Sequence, residues 1–551
     1  MLPFSLLLAL ACCVHRNIIF AFGSSASSSA FVVDTGYAQY LGNHSYPNTV
    51  AYLGIPYAEP PVGDRRFRAP LPLNTDRIMA EAKGAVIDAT KYPDFCVQGT
   101  TGNGDAGGAG SEDCLKVNIY APVNATKGSN LPVLVYIHGG GYIYGNPANW
   151  PFDHWVNQSP NIVVVSIYYR LSSFGFLATP AMRDPENGDL NAGVLDQVQA
   201  LKWVQAHIAS FGGDPRKVTI NGQSAGASSV ELQIVAHASE GLFSQAIAQS
   251  VLRVPLPTPE QQEALFSFYA THAGCALGTA GQQIACLRNA SVSALAMAQD
   301  AGSSAAFTAS EYNVFHPVID DILFSQSPTK SILAGRFAKV PLIVGATSNE
   351  TKSAGSDIVE ALQLFFPSLT TASANALAAR YPLSELGDLQ FQTATGDSEL
   401  RIFYAENAWY QRSILGERLG AATISWTYRY NQRTPGAAAV FHASENWMMF
   451  RGTSTGTNGT TTFQPMGLAD IAFAQELIAY WVSFVRAGNP NTFKLARSPA
   501  WAPFTSDRAR IVLQEDPNGS TTISGSFVEE ESEEEASRCN FVAGLNTQQE
   551  N

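Results

Sequence analysis

The stretch from Val218 to Val230 constrains the fold more than any other in the chain. A short β-branched run, Val218-Thr219-Ile220, meets Gly222-Gln223-Ser224-Ala225-Gly226 and then a run of small residues. A serine with a glycine two residues away on either side is what a sharp strand-to-helix turn requires, because side chains there would collide with the turn itself. Such a turn lifts the hydroxyl clear of a sheet and sets it over a helix N-terminus, where N–H groups favour negative charge. The same spacing recurs at Gly452-Thr453-Ser454-Thr455-Gly456, but that run leads into a Thr/Gly-rich loop with no helix behind it. Only Ser224 has the strand-turn-helix context.

Strands alternating with helices around this turn predict an α/β fold with a large, mostly parallel sheet. Buried strands read at residues 117–120, 132–137, 162–167, 218–220, 340–344 and 422–428, and amphipathic helices at 191–211 and 468–487. Residues from about 257 to 310 and from 355 to 411 are helical and polar, and read as cap or side insertions in the core. The chain is 551 residues long with 46% apolar content, and it shows no linker, repeat or basic tail. Residues 24–551 therefore read as one large domain.

Residues 3–14 form an apolar run, followed by His15 and Arg16 and a second apolar patch to Phe22. This predicts a signal peptide over residues 1–23 and a secreted, extracellular protein. The uninterrupted run is too short for a membrane anchor, and no later stretch reads as a span, so stable membrane insertion is not expected. Seven Asn-x-Ser/Thr sequons, at Asn43, Asn124, Asn157, Asn289, Asn349, Asn458 and Asn518, suit a glycosylated protein. Five cysteines remain after the leader, and two short loops, Cys96–Cys114 and Cys275–Cys286, are the economical disulfide pairing, leaving Cys539 outside. No pair has zinc-ligand spacing, so no metal site is predicted. The net charge of −13 excludes nucleic acid as a partner. Its densest part, residues 529–535, reads as a solvated surface segment. Nothing in the sequence sets an oligomeric state.

A reactive serine needs a base, the base an orienting acid, and the developing oxyanion a set of donors. His138-Gly139-Gly140-Gly141 follows the strand at 132–137 and matches a glycine loop whose backbone N–H groups can face an anion, working with the N–H of Ala225. In strand-turn-helix serine enzymes the chain order is serine, acid, histidine. That order selects His442, the one histidine downstream of the strand at 340–344. Glu350 lies on the loop after that strand; Asp320 and Asp321, which precede it, are the runners-up. Asn349 forms a sequon with Thr351, but a glycan beside a buried acid is prohibitive, so it is expected to be unmodified.

These motifs in this order resemble the type-B carboxylesterase/lipase family, the cholinesterase-like branch of the α/β-hydrolases, and in particular its fungal-type secreted members. The resemblance runs from Leu53 to the C-terminus. It rests on residues 53–58, 112–120 and 138–141, on Tyr169-Arg170-Leu171, on residues 191–197 and 211–215, on the serine turn, and on residues 488–491. It implies an α/β-hydrolase fold, a catalytic triad of Ser224, Glu350 and His442, and oxyanion donors at Gly140, Gly141 and Ala225. It also implies ion pairs between Arg66 and Glu112 and between Arg170 and Asp196, and no cofactor. The chain departs from the family at three places. The acid loop lacks the usual Asp and Gly around Glu350, Gln223 stands where many relatives carry an acid, and Val251 stands where a glycine is usual after the serine.

The implied activity is hydrolysis of small-molecule carboxylic esters through an acyl-enzyme. In lipases of this family the loop closed by the first disulfide is an apolar lid. Here residues 97–113 hold one large aliphatic, Val97, and six glycines, which favours small or medium acyl esters. The absence of tryptophan there also argues against an aromatic cage for quaternary ammonium. A lipase on long-chain acylglycerols is the catalytic alternative. The family's non-catalytic adhesion proteins, which lack the serine, supply the binding alternative.

Overall fold

The structure, a computed structural model, describes residues 31–99, 110–252, 255–304, 306–350, 358–381, 424–437, 439–455, 461–504 and 507–551. The expected signal peptide, residues 100–109 of the disulfide-closed loop and much of the 355–411 insertion lie outside the described residues.

Runs such as Val163-Val164-Val165-Ser166-Ile167 are apolar without alternation because both faces of the strand are covered. The strands are β1 (Val32–Asp34), β2 (Gln39–Tyr46), β3 (Thr49–Pro56), β4 (Val86–Ala89), β5 (Lys116–Pro122), β6 (Leu131–Ile137), β7 (Val163–Ile167) and β8 (Gly213–Gln223). They continue with β9 (Gln245–Gln249), β10 (Leu342–Thr347), β11 (Ser425–Tyr430), β12 (Thr453–Thr455), β13 (Thr461–Phe463), β14 (Ala509–Leu513) and β15 (Phe527–Glu530). All but β12 and β13, which form a separate hairpin, join one sheet in the order β1-β2-β3-β5-β7-β6-β8-β9-β10-β11-β14-β15, with β4 beside β2. From β7 to β14 every pairing is parallel. Antiparallel strands close the two sides. This is the α/β-hydrolase architecture expected from the sequence.

Successive residues of β6 face opposite layers. Val133, Val135 and Ile137 join one core with Val194 and Leu201 of the helix Ala192–His207 and Val230 of the helix Ala225–Val235. Leu134 and Tyr136 join the other, against Leu477, Tyr480, Trp481 and Phe484 of the helix Leu468–Ala487. That last helix corrects the expectation that no later stretch could span a bilayer, since it is long and apolar enough to do so. Its apolar surface is instead spent on the sheet.

Residues 257–310 fold as expected into helices, Glu263–His272, Ala280–Asn289 and Val292–Gly302. The Cys275–Cys286 disulfide closes the turn between the first two. Cys96–Cys114 is the second disulfide, and Cys539 lies in neither. Both expected ion pairs form. Arg66 grips Glu112 with two bonds of 2.6 and 2.7 Å. Its Nη1 also donates to the carbonyls of Leu287, Arg288 and Ala290, tying the inserted helices to the base of the disulfide-closed loop. Arg170 grips Asp196 at 2.8 and 2.7 Å, both fully enclosed.

The acidic run was expected to be a solvated segment, and part of it is not. Glu529 lies in β15 and accepts from Arg429 at 2.8 and 2.6 Å and also from the Arg510 Nε. Glu535 is buried and takes the Arg510 Nη1 at 2.5 Å. Burial works to raise the Glu529 carboxyl, but the two guanidinium groups outweigh it and hold it at about 2. Strands β4, β9, β12, β13, β14 and β15 lie outside the expected set; glutamine and alanine dilute the apolar pattern of β9, and two glutamates that of β15.

Among the described residues no other carboxylate lies in bonding range of Arg170. Replacing Asp196 by Asn should therefore strand a buried charge and cost about 3–5 kcal/mol. Denaturant unfolding followed by fluorescence checks this; a loss under 1 kcal/mol would show the pair to be dispensable.

Candidate active site

The carboxyl ends of parallel strands are where loops from different parts of the chain converge. Here β6, β8, β10 and β11 deliver His138–Gly145, Ser224, Glu350 and His442 to one place. The turn after β8 depends on close packing at its glycines. A Cβ on Gly222 would lie 2.2 Å from the Gly226 carbonyl oxygen, and one on Gly226 would lie 2.0 Å from that of Ile137. The price is paid at Ser224, which takes φ +59° and ψ −127°, a conformation that L-residues avoid. Its N–H is held by the Gln249 carbonyl at 2.9 Å, and the helix Ala225–Val235 starts at the next residue.

Ser224 Oγ lies 2.7 Å from His442 Nε2, and His442 Nδ1 bonds the Glu350 carboxylate. The loops carrying the histidine and the acid are joined by backbone as well: His442 N–H donates to the Glu350 carbonyl at 2.6 Å, and Asn349 N–H to the Val440 carbonyl at 3.1 Å. Asn349 Oδ1 accepts from Val440 N–H at 3.1 Å. This buried asparagine is thus a strut between the two loops, a role its sequon concealed.

The runners-up are engaged elsewhere. Asp320 accepts three backbone N–H groups and the Asn191 amide, and exposed Asp321 pairs with Arg183. Ser454 lies in β12, paired with Thr462 of β13, and not on a strand-to-helix turn.

Burial alone would raise the Glu350 carboxyl, but the charge and hydrogen bond of His442 and the Thr347 N–H keep it below the ordinary range. For His442 burial favours the neutral ring, yet the facing Glu350 carboxylate outweighs it and raises the pKa above 6.5. A second acid, unnoticed in the sequence, adds to this field. Glu445, three residues after His442, is buried. Burial and then the Glu350 charge push it up to about 7.

The glycine loop runs against the serine: a Cβ on Gly139 would lie 2.5 Å from the Gln223 carbonyl and 2.9 Å from Ser224 Cβ. Gly140 and Gly141 head a tight turn in which Ile143 and Tyr144 N–H both donate to the Gly140 carbonyl at 3.0 Å. Ala225, wholly buried, opens the helix behind the serine. His138 is a structural ring, stacked on Tyr169 with centroids 4.5 Å apart and pushed by burial down to about 4.

Above the serine lies a cavity of about 270 Å³ with Trp150, Tyr144, Phe441 and Trp447 among its walls. Besides Ser224 and His442, its polar lining includes Gln223, Asn446, Thr434, Ser444 and Ser454, and among the described residues no Asp, Glu, Lys or Arg lines it. The Gln223 Nε2 lies 3.4 Å from His442 Nε2, while the Asn446 amide donates to Gln223 Oε1 at 3.2 Å. Among the described residues no cluster of His, Cys, Asp and Glu has the makings of a metal site.

The model of the "Carboxylesterase family" matches residues 29–541. The chain is 31% identical to "Juvenile hormone esterase" of Tribolium castaneum over 84% of either chain. It is 32% identical to "Fumonisin B1 esterase" of Sphingopyxis macrogoltabida over 80% of this chain and 79% of that one. The crystal structure of Aspergillus niger EstA superposes with a TM-score of 0.79 at 29% identity, covering 94% of this chain and 99% of that one.

A hydroxyl beside an imidazole can surrender its proton only to the neutral ring. Covalent labelling of Ser224 by an uncharged fluorophosphonate should therefore accelerate with pH through an ionisation above 6.5. Glu445→Gln, which removes a charge that raises His442, should move that rise to lower pH. A wild-type midpoint at or below 6.5 contradicts the electrostatic picture.

Proposed function

The chain belongs to the carboxylesterase family and is a carboxylic-ester hydrolase, and on that premise we propose that it works through an acyl-enzyme on Ser224, with His442 and Glu350 completing the triad. The observation that carries this reading is the unbroken line from Ser224 Oγ through the His442 ring to the Glu350 carboxylate. Neutral His442 takes the hydroxyl proton as the oxygen attacks the ester carbonyl. Glu350 fixes the tautomer, so that Nδ1 carries the hydrogen and Nε2 is the acceptor, and it stabilises the imidazolium once formed. The N–H groups of Gly140, Gly141 and Ala225 receive the oxyanion; each such donor is worth about 10²–10³ in turnover. The imidazolium returns its proton to the leaving alcohol, and water repeats the sequence on the acyl-enzyme. The residues do this without a cofactor.

For the substrate we propose small or medium acyl esters without formal charge near the reacting carbonyl. A cavity of about 270 Å³ bounded by aromatic rings, amides and hydroxyls supports this. The relatives named for juvenile hormone and for fumonisin B1 illustrate how varied the esters handled by such a scaffold are. Two disulfides are in keeping with secretion into an oxidising compartment, which the apolar leader at residues 3–14 also favours.

Ser224→Ala should abolish fluorophosphonate labelling and lower kcat on p-nitrophenyl butyrate by about 10⁴–10⁶-fold. Retained labelling in that variant would place the nucleophile elsewhere. On graded esters, activity should fall with acyl length and show no jump where triacylglycerol forms an emulsion. A sharp rise at that threshold would favour the lipase reading.

A further inference from the structure

The glycine loop from His138 to Gly145 is anchored at its start and its middle by its own neighbourhood. Tyr169 Oη donates to the His138 carbonyl at 2.9 Å, and Ser172 N–H to the Tyr142 carbonyl at 2.8 Å. Its far end is held from a distant part of the sequence. The side-chain amide of Gln98 brackets the Gly145 backbone, accepting from Gly145 N–H at 2.7 Å and donating to the Gly145 carbonyl at 3.3 Å. Gly145 cannot be held there by a side chain of its own. At φ +147° a Cβ would lie 2.1 Å from His138 Nδ1, the nitrogen that sits 2.8 Å from the Gly139 carbonyl. The two ends of the loop therefore press on one imidazole, and displacing Gly145 displaces the ring on which Gly139 rests.

Gln98 has a fixed mount. It stands two residues beyond Cys96, whose disulfide to Cys114 is buried, and Val97 between them is buried too. A bridge between Cys96 and Ser111 holds the two sides of that loop together.

We propose that Gln98 is a positioning residue for the oxyanion loop, and that the Cys96–Cys114 disulfide bears on catalysis by holding this amide against Gly145. The inference rests on the reading of Gly140 and Gly141 as oxyanion donors. Donors of this kind act only when already aimed at the oxygen, and a displacement of about 1 Å in such a group can cost roughly 10²-fold. Gln98 touches neither the substrate nor the reacting atoms. Its effect belongs in turnover and in affinity for tetrahedral species, and not in ground-state binding.

The test compares wild type with Gln98→Met, which keeps the length and loses both bonds, and with Gln98→Glu, which keeps the acceptor for Gly145 N–H. The readouts are kcat and KM on p-nitrophenyl butyrate, the inhibition constant of an alkyl trifluoromethyl ketone, and Tm. For Gln98→Met, kcat and ketone affinity should fall together by about 10–100-fold, with KM within about twofold and Tm within a few degrees. Gln98→Glu should recover part of both. Unchanged kcat and ketone affinity in Gln98→Met overturns the proposal, as does a loss that appears in KM or follows Tm while ketone affinity stays constant. Fluorophosphonate labelling of wild type is the control that separates the two levels. If Ser224 is not the labelled residue, the underlying reading of the site fails; if it is labelled and Gln98→Met is silent, only the role of Gln98 fails.

Discussion

The active-site half of the molecule depends on one uncomfortable backbone conformation. Ser224 stands at φ +59° and ψ −127°, which costs an L-residue about 1–3 kcal/mol and persists only where the surroundings over-determine it. They do so from three sides. β6 and β9 flank the last residues of β8 up to the turn, the Gln249 carbonyl holds the serine N–H, and the helix starting at Ala225 packs so close that Gly226 lies against the Ile137 carbonyl. Buried parallel strands are stiff enough to hold the turn, and the turn gives them something to aim. Every other active-site group arrives on a loop leaving the same end of the same sheet.

Much of this was legible in the sequence because it rests on local necessity. Glycines at 222 and 226 and the run at 139–141 are places where only bare backbone fits, and such places leave a mark in one dimension. Chain order singled out His442, and its place after β10 singled out Glu350; the structure brings both to Ser224 even though the residues around Glu350 depart from the usual pattern. Contacts between distant segments left weaker marks or none. Asn349 matches a sequon, though one expected to be unmodified, and serves as a strut; nothing in one dimension marks Glu445, and Gln98 stands in a segment notable only for its glycines. β9 hid its strand character behind glutamine and alanine because its partners on both sides supply the burial.

The electrostatics of the site follow the same division. One imidazole faces two buried carboxyl groups, and among the described residues no Lys or Arg lines the cavity that meets them. With Glu350 held ionised and Glu445 titrating near 7, the cluster can carry one or two negative charges against the single positive charge that His442 can take up. The amide at Gln223, beside His442 Nε2, adds no further negative charge on the substrate side.

The ion-pair network at the far end of the sheet has a consequence for solubility. A sheet this wide ends in strands whose outer backbone groups invite pairing with another copy, the usual route to edge-to-edge aggregation. β15 is the terminal strand beside β14, and its sequence Phe527-Val528-Glu529-Glu530 places two carboxylates in four residues. Arg429 and Arg510 pin the first of these inward, and Glu533 and Glu534 in the helix that follows add further negative charge. A second β15 approaching in register would bring like charges face to face. The run thus fastens the last strand to its own sheet through Glu529 and sets Glu530 at the border where a copy would have to dock.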